Sequence, residues 1–489
     1  MDVISHRINI STPGLQALLL SSIGISLLLL VLGIYLDMTY LGAIFPIACF
    51  SLFLVVFHPV WIFILLFAVI PLSSEFELSN GLSTDIPGEP LLWITTVMTI
   101  LYLITTKVPH RLLYPIGFII AIQLLWLAIT ALFAEQPMLS VKYSIAKIWY
   151  VLPFFVLPFY IIKNRSDLHK LFDAYLIGLL IASLYFFLSH AQVDFDFLAK
   201  TEVGKPIWRN HVNYACSLVI SFPIAVYRHQ TCLNHRTWRY KILLAAILVF
   251  MCFSYARVVY LCLGTAAIYV FVLRYKLTKI AIVISLLTLS WIAYYQINQA
   301  NYIRYAPEYS STIMQESFDK KIKATLNGKD ISTMERLHRW VAGLHMIEQN
   351  PFTGVGPSNF YSSYKKYAVH SFETYVSDNP EKSGIHNYYL MTAVEQGIPG
   401  LLLLLTLVIT NMIYIENSYH RINSHYGKQL LLLSGTCLII ILSLNSINDM
   451  LEVIKVGGLF YFMLFISLSA SNPLFLRVKR EDIGRSVIF

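Results

Sequence analysis

Apolar runs near 20 residues long recur along this chain from residue 15 to residue 472, separated mostly by short polar connections. An α-helix of about 20 residues spans the ~30 Å hydrocarbon core of a bilayer. In hydrocarbon the backbone must satisfy its own hydrogen bonds, so repeated runs of this kind confine the chain to a bundle of membrane-crossing helices. Candidate spans fall near 15–36, 39–57, 59–72, 90–106, 113–134, 144–162, 168–189, 210–227, 241–255, 258–273, 280–298, 389–416, 429–447 and 455–472, fourteen in all. The third, ninth and tenth are short, so twelve is also consistent. Composition agrees, with 57% hydrophobic and 13% charged residues, against roughly 25% charged in soluble domains. The 14% aromatic content suits interfacial belts of Tyr and Trp. The first run is long enough to span and has no small-residue cleavage site behind it. The expected fold class is therefore an all-α polytopic membrane protein with about 12–14 transmembrane helices and one large loop.

The net charge is +9. The basic residues sit mainly in connections between spans, which reads as topology signal and attraction to anionic lipid, with no nucleic acid as partner. An even span count puts both termini on one side. With the N-terminus in the cytoplasm, the inner segments hold Arg7; Lys107 and Arg111; Lys163, Arg165 and Lys170; Arg228, Arg236, Arg239 and Lys241; Arg274, Lys276 and Lys279; Arg421 and Lys428; and Arg477, Lys479, Arg480 and Arg485. The short outer connections hold only Lys142, Lys147, Lys200, Lys205, Arg209, Arg257 and Lys455. The outer loop 73–89 is acidic, with Glu75, Glu77, Asp85 and Glu89. The remaining basic residues lie in the long loop 299–388, where the rule does not apply. The chain then divides into an N-terminal transmembrane bundle (1–298), a mostly helical periplasmic loop domain (299–388), and C-terminal transmembrane helices with a cytoplasmic tail (389–489). Cys49, Cys216, Cys252, Cys262 and Cys437 lie in apolar segments and Cys232 in a basic loop. With no Cys-x-x-Cys pair, neither a disulfide framework nor a thiolate metal site is expected.

A loop of this length without secondary structure would be unusual, and such loops are generally functional. Residues 336–349 carry Leu337, Trp340, Val341, Leu344 and Ile347 at helical spacing. Asn350-Pro351 ends that helix, because a residue before proline avoids the α region. Gly354-Val355-Gly356-Pro357 is a turn, and 360–367 can start another short helix. Where the loop returns to the membrane stands His386-Asn387, followed after nine residues by Gly397-Ile398-Pro399-Gly400. Gly397 and Gly400 are expected to break the helix at membrane depth, which is tolerated only where the backbone is buried in protein or lines a cavity. His386 would stand over that cavity, where a neutral imidazole can accept a proton from an acceptor hydroxyl or orient it. An interfacial His with a purely local hydrogen bond is the plainer alternative.

Arg257, Arg336 and Arg339 reach the same outer face. Arg257 lies between two apolar segments, a depth at which an arginine is expensive unless paired; its planar fork suits phosphate oxygens. It can also be a snorkelling residue marking a helix end. Arg336 and Trp340, four apart, share a helix face, whereas Arg339 projects elsewhere but is long enough to converge; either arginine could instead pair with Glu335 or Asp330. Arg209, in Arg209-Asn210-His211, is a further candidate phosphate contact. Asp194-Phe195-Asp196 mimics a metal-nucleotide motif but lies in an outer loop without a βαβ context, so no metal is expected there. Gly354-x-Gly356 is not a P-loop, since no Lys-Ser or Lys-Thr follows. No chain of carboxylates runs through the spans, as a proton-coupled transporter would usually need. Asn445, Asn448, Asp449 and Glu452 lie at the outer end of a late span, either lining the cavity or capping a helix.

Three segments resemble the O-antigen ligase and polymerase superfamily. They are His386-Asn387-x9-Gly397-x-x-Gly400; Arg257 followed by Leu261; and Arg336-x-x-x-Trp340 leading into Asn350-Pro351-Phe352-Thr353-Gly354-Val355-Gly356-Pro357-Ser358-Asn359-Phe360. The similarity covers roughly residues 210–450. The resemblance implies a GT-C-like helical architecture and a glycosyltransferase that moves a glycan from undecaprenyl diphosphate to an acceptor, inverting the anomeric carbon without metal or cofactor. It implies that Arg257 and Arg336 bind the diphosphate, with Arg339 as substitute, and that His386 is catalytic. The partners implied are the undecaprenyl-diphosphate-linked donor and lipid A-core or another glycan acceptor, at the periplasmic face of the inner membrane. A ligase is expected. A polymerase and a protein O-oligosaccharyltransferase share the chemistry, and a lipid-linked glycan transporter is the alternative of another class. Fourteen spans exceed the twelve usual for ligases.

Overall fold

The computed structural model describes residues 58–78, 82–232, 237–298, 331–367 and 384–471, with isolated positions at 24, 25, 28, 29 and 31. The second expected span, all but those isolated positions of the first, and residues 299–330 of the long loop lie outside the described residues, as do Asp330 and the Glu335 side chain.

The chain is a multi-pass helical membrane protein. Among the described residues its main helices are α1 (Pro59–Val69), α2 (Gly88–Thr105), α3 (Pro115–Leu132), α4 (Pro137–Val151), α5 (Arg165–Ala191), α6 (His211–Thr231), α7 (Thr237–Phe253), α8 (Val258–Arg274), α9 (Thr278–Ile297), α10 (Ile331–Gln349), α11 (Phe360–Tyr364), α12 (Tyr388–Arg421), α13 (His425–Asn445) and α14 (Ile454–Ser469). Among the described residues, seven helices are long and apolar enough to cross a bilayer. Shorter apolar helices occupy Pro59–Leu72, Val258–Arg274 and Ile454–Ser469. Start signals explain many boundaries. Proline opens α1, α3 and α4, where its missing N–H costs nothing. Asn164, Asn210, Asn387 and Ser424 cap α5, α6, α12 and α13 with side-chain oxygens. After α4, Pro153 and Pro158 interrupt the ladder, and Leu152–Val156 widens into a π turn before Pro158–Ile161 continues.

Successive helices alternate in direction. One end of the bundle gathers the described parts of the connections 70–78, 82–88, 133–136, 192–210, 254–257 and 446–453 with residues 331–367 and 384–387. The other end gathers 106–114, 162–164, 275–277 and 422–424, flanked by Lys107, Arg111, Lys163, Arg165, Arg274, Lys276, Arg421 and Lys428. The acidic connection at the first end is a β-hairpin, β1 (Ser74–Leu78) antiparallel to β2 (Leu82–Ile86), with Ser74 opposite Ile86 and Leu78 opposite Leu82. This is the one departure from an all-helical reading among the described residues, and Thr84 Oγ1 fastens it to Glu89 at 2.7 Å.

Apart from Lys455 near its start and serines near its end, α14 is apolar on every face, and it is buried along its whole length, which marks a core helix. α1, α5, α6 and α13 pack about it, with Phe67 edge-on to Phe462 at 4.7 Å between centroids. α9 lies at the periphery, with 6% of its span buried.

Candidate functional site

The geometry begins at a broken helix. Within α12, Gly397 adopts φ 70° and ψ 179°, a conformation that only glycine takes readily. A Cβ there would also collide with the Phe352 carbonyl. Gly400, expected to share the break, remains helical; it lies against Gln396 and Trp126, where a side chain would not fit. The freed carbonyls are all taken up. Val355 N donates to Val394 O at 2.9 Å and Gly356 N to Glu395 O at 3.0 Å. Trp126 Nε1 donates to Gln396 O at 2.9 Å, and Ile398 N to Pro351 O at 2.8 Å. The Gly354–Gly356 turn, with φ of 65° and 98° at its glycines, thus plugs into the break. Asn359 and Ser140 hold the turn against the α3–α4 connection through bonds of 2.7 Å and 2.8 Å.

This anchorage fixes the start of α12, where His386 stands. Arg339 Nη1 donates to Gly384 O at 2.8 Å and Trp340 Nε1 to Ile385 O at 3.1 Å. His386 N donates to Asp449 Oδ2 at 2.9 Å. Gly384 must be glycine for this approach, since a Cβ would run into the Asp449 carboxylate. Asn387 Oδ1 then accepts from Leu390 N at 3.0 Å. His386 itself has φ 57°, a left-handed conformation costly for a side-chain-bearing residue and maintained by these bonds.

The electrostatics follow from burial and the two arginines. Burial, then the charges of Arg336 and Arg339, push the His386 imidazole down to about 3, so it is neutral near pH 7. Burial raises the Asp449 carboxyl to about 6, against the N–H bonds from His386 and Asn387 and the charge of Arg339. The arrangement is a neutral proton acceptor beside two guanidinium groups.

The structure therefore brings Arg336, Arg339, Trp340, His386 and Asn387 together, and Gly354, Gly356 and Gly397 support them. Both arginines converge: Arg339 is buried at 1% exposure and Arg336 half-buried. Arg257, half-buried, precedes α8. α8 packs on α13, with Ser443 Oγ 3.0 Å from Thr265 Oγ1, so Arg257 lies at the same end as Asp449. Arg209 is also at that end but exposed. Asp194-Phe195-Asp196 closes the end of α5 as a turn: Phe195 N donates to His190 O at 3.0 Å, and the His190 ring meets Asp196 O at 2.9 Å.

Three residues escaped the sequence reading. Lys147 and Lys455, counted with the outer connections, are buried within α4 and α14. Lys147 Nζ lies 3.0 Å from Glu452 Oε1 and 2.9 Å from Tyr388 Oη, while Tyr143 donates to the same carboxylate oxygen at 2.6 Å. Lys455 Nζ donates to Ile207 O at 2.5 Å and lies 3.9 Å from the centre of the Trp208 ring. Glu395, buried in α12, accepts from Phe360 N at 3.2 Å. A charged residue inside an apolar run is the signal that finds all three.

Comparison with known proteins adds one finding. No curated protein matches the chain. Residues 242–405 match the family model described as O-Antigen ligase, a stretch that contains Arg257, Arg336, Arg339, His386 and the broken start of α12. Over that segment the chain is similar to the O-antigen ligase family.

Proposed function

We propose that the chain is an O-antigen ligase-like glycosyltransferase of the bacterial inner membrane, moving a glycan from undecaprenyl diphosphate to lipid A-core at the periplasmic face. The observation that carries this reading is the neutral His386, held by Asp449 and the α10 side chains beside Arg336 and Arg339. A diphosphate is a good leaving group once its charge is met, and guanidinium forks meet it with paired hydrogen bonds. Arg336 and Arg339 supply such charge from α10, and Arg257 from the start of α8. The attacking hydroxyl of the acceptor gives its proton to the imidazole as the anomeric C–O bond to phosphate breaks and the new glycosidic bond forms from the opposite face. Burial is the larger cause of the low His386 basicity and the arginine charges the smaller; a bound diphosphate offsets the arginine charges and so restores part of that basicity.

Deletion of the gene, followed by analysis of surface glycan, tests the acceptor. Rough core with intact lipid-linked polymer supports the ligase. Single repeats on core point to a polymerase of the same superfamily, and loss of glycosylated protein points to a protein O-oligosaccharyltransferase. A purified protein that moves donor lipid between leaflets without forming a glycosidic bond would be a transporter and would overturn the reading.

A further inference from the structure

At the end of the bundle opposite His386, the α8–α9 turn and the last turns of α12 border an open polar cavity of about 270 Å³, lined by Lys276, Glu416, Asn417, His420 and Arg421. Its walls are fixed. His420 Nε2 meets Leu273 O at 2.8 Å, tying α12 to the end of α8. Glu416 Oε2 accepts from Thr278 N at 2.9 Å, so the one carboxylate in the lining is committed to the first turn of α9. Lys276 and Arg421 are exposed.

Lys276 carries a second observation. α8 ends with Leu277 N donating to Val272 O at 3.0 Å and Lys276 N to Leu273 O at 3.4 Å, the paired closure whose left-handed residue is usually glycine. Here that residue is Lys276, at φ 58°. A lysine in this backbone state is disfavoured, and such outliers persist where the surrounding structure holds them and cluster at functional sites. The strained residue is also a cation of the cavity. Tyr275, 64% exposed, and the peripheral helix α9 flank it, which puts the cavity beside lipid.

We infer that this cavity binds a phosphate-bearing anion, with Lys276 and Arg421 as its principal contacts. Two sources share that chemistry: the phosphodiester headgroup of an anionic lipid and free inorganic phosphate. Basic pockets between helices at this depth hold anionic headgroups in the same way. The site is separate from the one that holds His386, so the inference stands whatever the acceptor of the transfer reaction.

Thermal unfolding of the full chain in neutral detergent tests it, with added phosphatidylglycerol, added phosphatidylcholine, or inorganic phosphate. Wild-type protein is expected to gain stability from phosphatidylglycerol over phosphatidylcholine. The midpoint concentration should rise roughly fivefold for each cation removed, in Lys276→Gly and in Arg421→Gln. Lys276→Gly relieves the left-handed strain, so in lipid-free detergent it should unfold at the wild-type temperature or higher, which separates lost binding from lost folding. Stabilisation by phosphatidylglycerol alone identifies a headgroup site; equal stabilisation by inorganic phosphate identifies a soluble anion. Midpoints unchanged in both variants, or no preference for either anion over phosphatidylcholine, would overturn the inference.

Discussion

His386 is the residue on which protonation acts. Its imidazole titrates near 6.5 when unfolded and near 3 when folded, so the native state resists a proton that the unfolded chain accepts. The depressed group contributes its full stability above pH 6.5, and this is lost as pH falls toward 3. Asp449, raised from 3.8 to about 6, works the other way: its contribution is present below 3.8 and lost as pH rises through 6. Chemical unfolding measured from pH 7 down to pH 4 should therefore show wild type losing stability relative to His386→Gln, with the gap closing above pH 6.5. Arg339 is expected to matter for structure as well as charge. Arg339→Ala leaves the Gly384 carbonyl without this donor, at a cost of about 1–3 kcal/mol. Arg336→Ala should cost less stability, and a comparison of the two unfolding midpoints checks the difference.

The break in α12 is the element that organises the site. Gly397→Ala forces a left-handed alanine against the Phe352 carbonyl. It should destabilise the protein by about 2 kcal/mol or more and release residues 351–357 to proteolysis. Below the break, α4 meets α12 and the 446–453 connection through Lys147, Glu452 and Tyr388. Removing one partner of a buried ion pair costs about 3–5 kcal/mol, and Glu452, whose side chain is 24% exposed, lowers that range. Lys147→Met should thus unfold more easily than Lys147→Met combined with Glu452→Gln. Much of this was legible in the sequence. Asn350-Pro351 ended α10 at Gln349, the expected span from 389 began within a residue of the start of α12, and the paired glycines marked the Gly354–Gly356 turn. The filling of the break was not legible, because a glycine tells that a helix can open and not which loop will satisfy its carbonyls. Lys147 was misread because its charge was counted toward topology before its place inside an apolar run was weighed. The hairpin at 74–86 has too few alternating apolar residues to signal strands.

For the whole molecule, the separation of basic and acidic ends is the readable signal. The connections near Lys107, Lys163, Lys276 and Arg421 lie at one end, and the acidic hairpin and His386 at the other. Phe352, 74% exposed at the His386 end, and Asn423, exposed at the opposite end, report the orientation. In whole cells with a permeabilised outer membrane, an impermeant thiol reagent should label Phe352→Cys and not Asn423→Cys. The site as a whole is tested most directly by transfer with purified protein, isolated undecaprenyl-diphosphate-linked glycan and lipid A-core, in the presence of chelator. Wild type and Asp194→Ala are expected to form the glycosidic product. His386→Ala should lose about 10²–10⁴-fold in rate while still retaining donor, and the Arg336→Ala/Arg339→Ala double variant should lose donor retention. Undiminished product from His386→Ala, or undiminished donor retention by the double variant, would contradict a site built from an imidazole and paired guanidinium groups.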